Sequence, residues 1–287
     1  MFFLDKIKTL KTNKSSIWSL KWNPLGTFLI SCGVDGCIFI WGLASSRTSF
    51  DIKIRSFIEK EIYTKWNCIT IQTKEYFKTT HRTLSYSKNV YQIGIGTFTG
   101  DIKICKIFFS GKNRKIFLKR LTVLKGSASE IKNCAFSQNG SNFVACSRNK
   151  IVWNWEKDSK DFFYSFFILE NHESDIKQSI WHPQLGIILT STYEGNIRLF
   201  QKNLKEIWII HSFKFSSFSI FALTTDENGK KIIFGSTKGE LFLFPFWKNI
   251  FHKNNYLSKK NLNFFLINNY FCEKYFSKKE KGTIPLL

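Results

Sequence analysis

The chain has 287 residues, a net charge of +22, 43% hydrophobic and 17% aromatic residues and only 4 prolines. That apolar content excludes a disordered or linker-dominated chain, and the length suits one repeat domain or barrel. Met1-Phe2-Phe3-Leu4-Asp5-Lys6 carries both charge signs at the outset and no long uncharged apolar run follows, so no signal peptide, anchor or membrane span is expected.

In chain order, Ile17-Trp18-Ser19-Leu20-Lys21-Trp22 alternates like a strand, Asn23-Pro24-Leu25-Gly26 reads as a turn, and Thr27 to Cys32 as a second strand. Gly33-Val34-Asp35-Gly36 turns the chain again and Cys37 to Trp41 closes a three-stranded meander. The same cadence returns in Leu84 to Cys105, Ile131 to Trp155, Ile176 to Phe200 and Ile220 to Phe244, punctuated by Gly100-Asp101, Asn139-Gly140, Glu194-Gly195, Asn228-Gly229 and Lys238-Gly239. The closing positions 41, 105, 155, 200 and 244 are spaced 64, 50, 45 and 44 apart. The later spacings match a WD repeat, whose blades of about 40 to 45 residues carry four strands each. The long first step predicts a surface loop insertion around Phe50 to Thr80. The expected fold is therefore all-β, a WD40-type β-propeller in one domain over 1–287, with clear repeats at about 15–247 and a degenerate last blade or tail over 248–287.

Composition also bears on partners. The basic residues are 36 Lys to 7 Arg, a bias that an A+T-rich genome imposes on any protein and spreads over every solvated face. Nucleic acid is accordingly the weaker expectation for the charge. The short runs Lys112-Asn113-Arg114-Lys115 and Lys278-Lys279-Glu280-Lys281 read as solvated loops. Trp18, Trp22, Trp153, Trp155 and Trp181, at strand positions, read as core rather than base-stacking platforms.

Seven cysteines, odd in number and irregularly spaced, predict free thiols in a reducing compartment, cytoplasmic or also nuclear. Cys32 and Cys37 flank a hairpin turn, yet no second pair lies near them, so neither metal nor cofactor is expected. No nucleophile elbow, zinc-protease helix motif or phosphate-binding loop occurs, which points away from an enzyme. Gly94-Ile95-Gly96 imitates part of a dinucleotide motif but lies in a strand with no helix after it. His172 is assigned to its blade's polar network, and His182, before Pro183, to a turn.

Three runs become specific when taken in order. They are Trp22-Asn23-Pro24-Leu25-Gly26 through Asp35-Gly36 to Trp41-Gly42, then Cys146-Ser147-Arg148-Asn149-Lys150 to Trp155, then His172-Glu173-Ser174-Asp175 with Trp181-His182-Pro183. Together they resemble the first, third and fourth repeats of the WD-repeat subunit of the cytosolic iron-sulfur protein assembly machinery, a likeness covering about 15 to 247. The resemblance implies a seven-bladed propeller that acts as a scaffold without catalysis or cofactor. It also implies a monomer within a hetero-complex, meeting protein partners of the targeting complex and handing clusters to client apoproteins. A surface arginine that matters in that family's third repeat matches Arg148.

The chain departs from the pattern in its tail, where the 43 residues after Phe244 hold room for about one blade, leaving six or seven blades as the expectation. Phe2-Phe3-Leu4 and Ile7 are the candidate closing strand. The repeats' polar network is eroded as well. Ser31, Asp35 and Trp41 stand for it in repeat one, Ser147 and Trp155 in repeat three, and His172 in repeat four, where Glu194 and Phe200 occupy the other places. Two other readings stay open: an adaptor of a chromatin or RNA-processing complex, and a basic propeller that binds nucleic acid.

Overall fold

A computed structural model describes residues 9–10, 16–23, 26–43, 66–72, 81–87, 92–109, 116–126, 128–158, 163–169, 172–203, 207–245 and 265–267. All regular structure among them is strand, and no described helix is long and apolar enough to cross a membrane. The chain divides into two compact units, 1–181 and 182–287.

The first unit opens with β1 (Ile17–Trp22), β2 (Phe28–Gly33), β3 (Ile38–Leu43) and β4 (Trp66–Gln72), an antiparallel sheet in that spatial order. β4 corrects one expectation. The stretch read as a loop insertion, Phe50 to Thr80, contains the fourth strand of this sheet, with Trp41 opposite Cys68 and Phe39 opposite Ile71. A sheet flanked on both faces favours continuous apolar runs over alternation, and the 66–72 run WNCITIQ mixes both, so its period is weak. The second sheet holds β5 (His81–Tyr86), β6 (Gln92–Thr97), β7 (Asp101–Phe109) and β8 (Ile116–Lys125). The third holds β9 (Ile131–Phe136), β10 (Asn142–Ser147), β11 (Val152–Lys157) and β12 (Phe163–Leu169). β13 (Ile176–Trp181) begins the fourth meander and ends the unit.

Two apolar cores fill the spaces between successive sheets of this unit. One joins Phe28, Ile30, Ile38 and Ile40 to Leu84, Ile93, Ile95 and Ile107. The other joins Ile102, Ile104 and Leu124 to Ile131, Phe136, Phe143, Trp153 and Trp155. Each fully buried Ile or Phe contributes about 2 kcal/mol through apolar burial. The first strands also bind one another in relay. Ser19 Oγ accepts from Leu84 N at 3.1 Å, Ser85 Oγ from Phe136 N at 3.0 Å, and Asn133 Oδ1 from Ser179 N at 3.3 Å.

The Gly94-Ile95-Gly96 stretch finds its physical reason here. A Cβ on Gly94 would meet Phe143 Cε2 at 2.3 Å, and one on Gly96 would meet Ile131 Cγ2 at 2.6 Å. The glycines let β6 approach the third sheet closely.

In the second unit, β14 (Ile188–Thr192), β15 (Asn196–Lys202) and β16 (Trp208–Lys214) continue the fourth meander, antiparallel at each step. β17 (Ile220–Thr225), β18 (Lys231–Ser236), β19 (Leu241–Pro245) and β20 (Phe265–Ile267) form the fifth. β20 comes from the stretch read as a degenerate last blade or tail. It pairs with β19, Leu241 opposite Ile267, and so supplies the fifth sheet's fourth strand. The candidate closing strand at residues 2–7 lies outside the described residues.

A polar side chain follows the first strand in the first, third and fifth meanders, where the following turn needs an acceptor. Asn23 Oδ1 accepts from Thr27 N and Phe28 N at 2.8 and 2.9 Å, Ser137 Oγ from Asn142 N at 2.9 Å, and Asp226 Oδ1 from Lys231 N at 2.6 Å. His182 holds the corresponding place in the fourth meander. Its Nδ1 accepts from Gln184 N and Leu185 N at 3.1 and 3.2 Å, which fixes the proton on Nε2, where it is donated to Gly229 O at 2.9 Å. Burial lowers its pKa, as this neutral tautomer requires.

Candidate interaction face

In the first, third and fifth meanders the residue before the first strand governs where the second-to-third-strand turn sits. Ser16 O accepts from Val34 N at 3.0 Å, Glu130 O from Arg148 N at 3.0 Å and Ser219 O from Thr237 N at 2.9 Å. This bond ties the start of a meander to the turn that follows its second strand, so the side chain of Arg148 is carried to a fixed place while remaining exposed.

Glu130 does more than that, and sequence reasoning missed it. Its carboxylate takes Arg82 Nε at 3.0 Å on Oε1 and Lys132 Nζ at 2.5 Å on Oε2, with only 13% of its own side chain exposed. Arg82 in turn lies over the ring of Trp18, 4.2 Å from its centroid, and Trp18 meets Phe98 at 5.9 Å. Trp18, Arg82 and Lys132 are each the second residue of their first strands, and Phe98 holds in the second meander the turn place that Arg148 holds in the third. The signal was available in the repeat register, since the position just before Ile17 or Ile131 is the one aligned with these turns. Arg82 combines an ion pair with a cation–π contact, worth about 1 kcal/mol each at a partly exposed site. The result is a preorganised patch of apolar rings and cations: Trp18 is 44% exposed and Phe98 37%.

The residues assigned to the repeats' polar network are placed as follows. Trp41 Nε1 donates to Ser31 Oγ at 2.9 Å, both buried, and Asp35 Oδ1 accepts from Cys37 N at 3.0 Å within its own turn. Ser31 stands opposite Phe39, and Ala145, without a hydroxyl, stands opposite Trp153 at the matching register of the third sheet. Ser147 instead lies two places later, where its hydroxyl reaches Asn149 Oδ1 and Ile151 O inside the turn. Trp155 is buried against Phe143 and stacked on Trp153 at 6.0 Å. His172 is buried, and Glu194 accepts from Asn196 Nδ2 at 3.2 Å. Replacing Ser31 by Ala is expected to cost about 1–2 kcal/mol, read as a lower denaturation midpoint with unchanged slope, because the indole N–H then stays buried without its acceptor.

Among the described residues no three His, Cys, Asp or Glu converge as metal ligands. Cys32, Cys105, Cys134 and Cys146 are free and buried, and Cys37 is free and half-buried. Burial pushes the thiols of Cys105, Cys134 and Cys146 up to about 12, and that of Cys32 further. His81 begins β5 where other first strands begin with Ile17, Ile131, Ile176 and Ile220. Fully buried there and beside Lys103, it is lowered to about 4 and stays neutral.

Comparison with known proteins agrees with the repeat architecture. The family described as WD domain, G-beta repeat, matches residues 4–42 and 118–156, the second match containing Glu130, Lys132 and Arg148. A protein of Botryotinia fuckeliana named "Probable cytosolic iron-sulfur protein assembly protein 1" is 35% identical over 83 residues, 27% of this chain and 19% of its own length. One of the same name from Candida glabrata is 23% identical over 157 residues, 54% of this chain and 41% of its own. A Caenorhabditis elegans protein, "Probable cytosolic iron-sulfur protein assembly protein CIAO1 homolog", is 24% identical over 148 residues, 52% of this chain and 38% of its own. The matched part of the chain thus spans between a fifth and about two-fifths of these relatives.

Proposed function

We propose, from the premise that the chain is an all-β WD40-repeat protein of the β-propeller class, that it is a non-catalytic scaffold of cytosolic iron-sulfur protein assembly. In this role it takes part in passing clusters to cytosolic and nuclear apoproteins by holding protein partners together. The reading is carried by the names of its relatives, each a cytosolic iron-sulfur protein assembly protein. The geometry supports it with a fixed patch of exposed ring and cation side chains of the kind that anchors protein contacts. The place of work is the cytosol, and the protein functions as one subunit of a hetero-complex.

Arg148 is the partner-binding residue of this proposal. Its guanidinium is exposed on a turn held through its own backbone N–H, so its charge is spent on nothing inside the sheet. The test is affinity purification of the tagged protein from its native cell, at moderate salt and with nuclease, followed by mass spectrometry. Iron-sulfur assembly proteins are expected in the eluate. Arg148→Glu should reduce their recovery about tenfold or more while leaving the melting temperature unchanged. Recovery of a different assembly in place of iron-sulfur proteins overturns the function, and undiminished recovery with Arg148→Glu overturns the residue assignment.

A further inference from the structure

Lys150 is the residue whose backbone the fold does not explain. The turns equivalent to its own end in Gly36, Gly100, Gly195 and Gly239, at φ of 71, 89, 79 and 83°. Lys150 sits at φ 67° and is the one non-glycine residue with positive φ among those described. An L side chain is disfavoured there by the contact of its Cβ with the backbone, and lysine lacks the short polar side chain that makes this region tolerable for Asn or Asp. Nor does packing compensate, since Lys150 is exposed, as are Arg148 and Asn149 before it. Glycine would serve the turn better, so the lysine side chain answers to something outside the fold.

We propose that Lys150 is a docking residue which, with Arg148 on the same turn, receives a carboxylate-bearing segment of a protein partner. The inference rests on the reading that this turn meets a partner, and it adds the chemistry of that partner. Two exposed cations share the turn, and Glu130, whose backbone carbonyl holds the turn through Arg148 N, has its carboxylate already paired with Arg82 and Lys132. The turn itself carries two cations and no carboxylate, and the unmet demand is for negative charge. A polypeptide fits this demand better than a nucleic acid. Tracking a phosphate backbone takes cations spread along a groove, whereas the first places of the equivalent turns are Val34, Phe98, Tyr193 and Thr237, none of them basic.

The test uses the full chain and two labelled probes, an octamer of glutamate and an octamer of uridine, read by fluorescence anisotropy beside thermal denaturation. Lys150→Gly should raise the melting temperature by a few degrees and weaken glutamate binding about fivefold or more, two effects of opposite sign that a purely structural lysine cannot produce together. Lys150→Arg should retain binding, and Lys150→Asn should lose it without loss of stability. If Lys150→Gly is more stable and binds the glutamate probe as before, the inference is overturned. Should Arg148→Glu abolish binding in that case, the reading of the turn survives and the Lys150 role alone falls; should neither variant change binding, both fall. Uridine binding that exceeds glutamate binding and depends on Lys150 overturns the assignment of a protein partner.

Discussion

Replacing Gly195 by Ala should destabilise the protein by about 3 kcal/mol or more, and the same change at Gly239 by only about 1. Both glycines close equivalent turns with nearly the same backbone, φ 79° and 83°, so the intrinsic cost of an L residue is shared. They differ in surroundings. A Cβ on Gly239 meets nothing within 4 Å, while one on Gly195 would lie 2.0 Å from Ser216 O and 2.6 Å from Phe218 O. These are backbone atoms, and the segment cannot withdraw, because Phe215 N and Ser216 N both donate to Gly195 O at 3.0 and 3.3 Å. Urea denaturation of the two variants side by side isolates the contact from the dihedral cost. Equal midpoints would mean that the 215–218 segment gives way.

Acidification should weaken the fold through His81, on top of any general carboxylate effect. The sign follows from its pKa, lowered from 6.5 to about 4 by burial and by Lys103. Between those values the unfolded chain holds a proton on this ring and the native chain does not, so stability falls as pH drops from 6.5 and levels off below 4. At about 1.4 kcal/mol per pH unit the full span amounts to about 3 kcal/mol. His81→Ile, which installs the side chain that begins β1, β9, β13 and β17, should remove that portion of the slope and raise stability at pH 5. Denaturation midpoints from pH 7 to 4 decide it, and parallel curves for the two proteins would show that His81 protonates in place.

The repeats were legible in the sequence because turn chemistry is local. Asn23, Asp35, Gly100, Gly140 and Gly239 each satisfy a nearby backbone requirement. The fourth strands were less legible. β20 falls in the tail's apolar run Phe264-Phe265-Leu266-Ile267, long enough for a strand but without WD punctuation, β4 has no Gly or Pro beside it, and each pairs with a strand of its own sheet, Trp41 to Cys68 and Leu241 to Ile267. Arg148 was found through resemblance. Glu130, which holds Arg82, Lys132 and the backbone of Arg148, was not, because a carboxylate carries no local mark and only the repeat register points to its place before the first strand. Ser147 stood out as a candidate network hydroxyl, but register decides hydrogen-bond partners in a sheet, and two places separate it from the site that Ser31 fills.

The buried thiols have a consequence for a protein proposed to work among iron and sulfide. Burial pushes Cys105, Cys134 and Cys146 up to about 12, so they stay protonated at neutral pH, and only the ionised form attacks an oxidant or coordinates a soft metal. These cysteines are therefore poor chelators and slow nucleophiles while the sheets stay closed. Stray iron or an alkylating reagent would find them chiefly after unfolding, so their rate of labelling is a clock for how often the blades open.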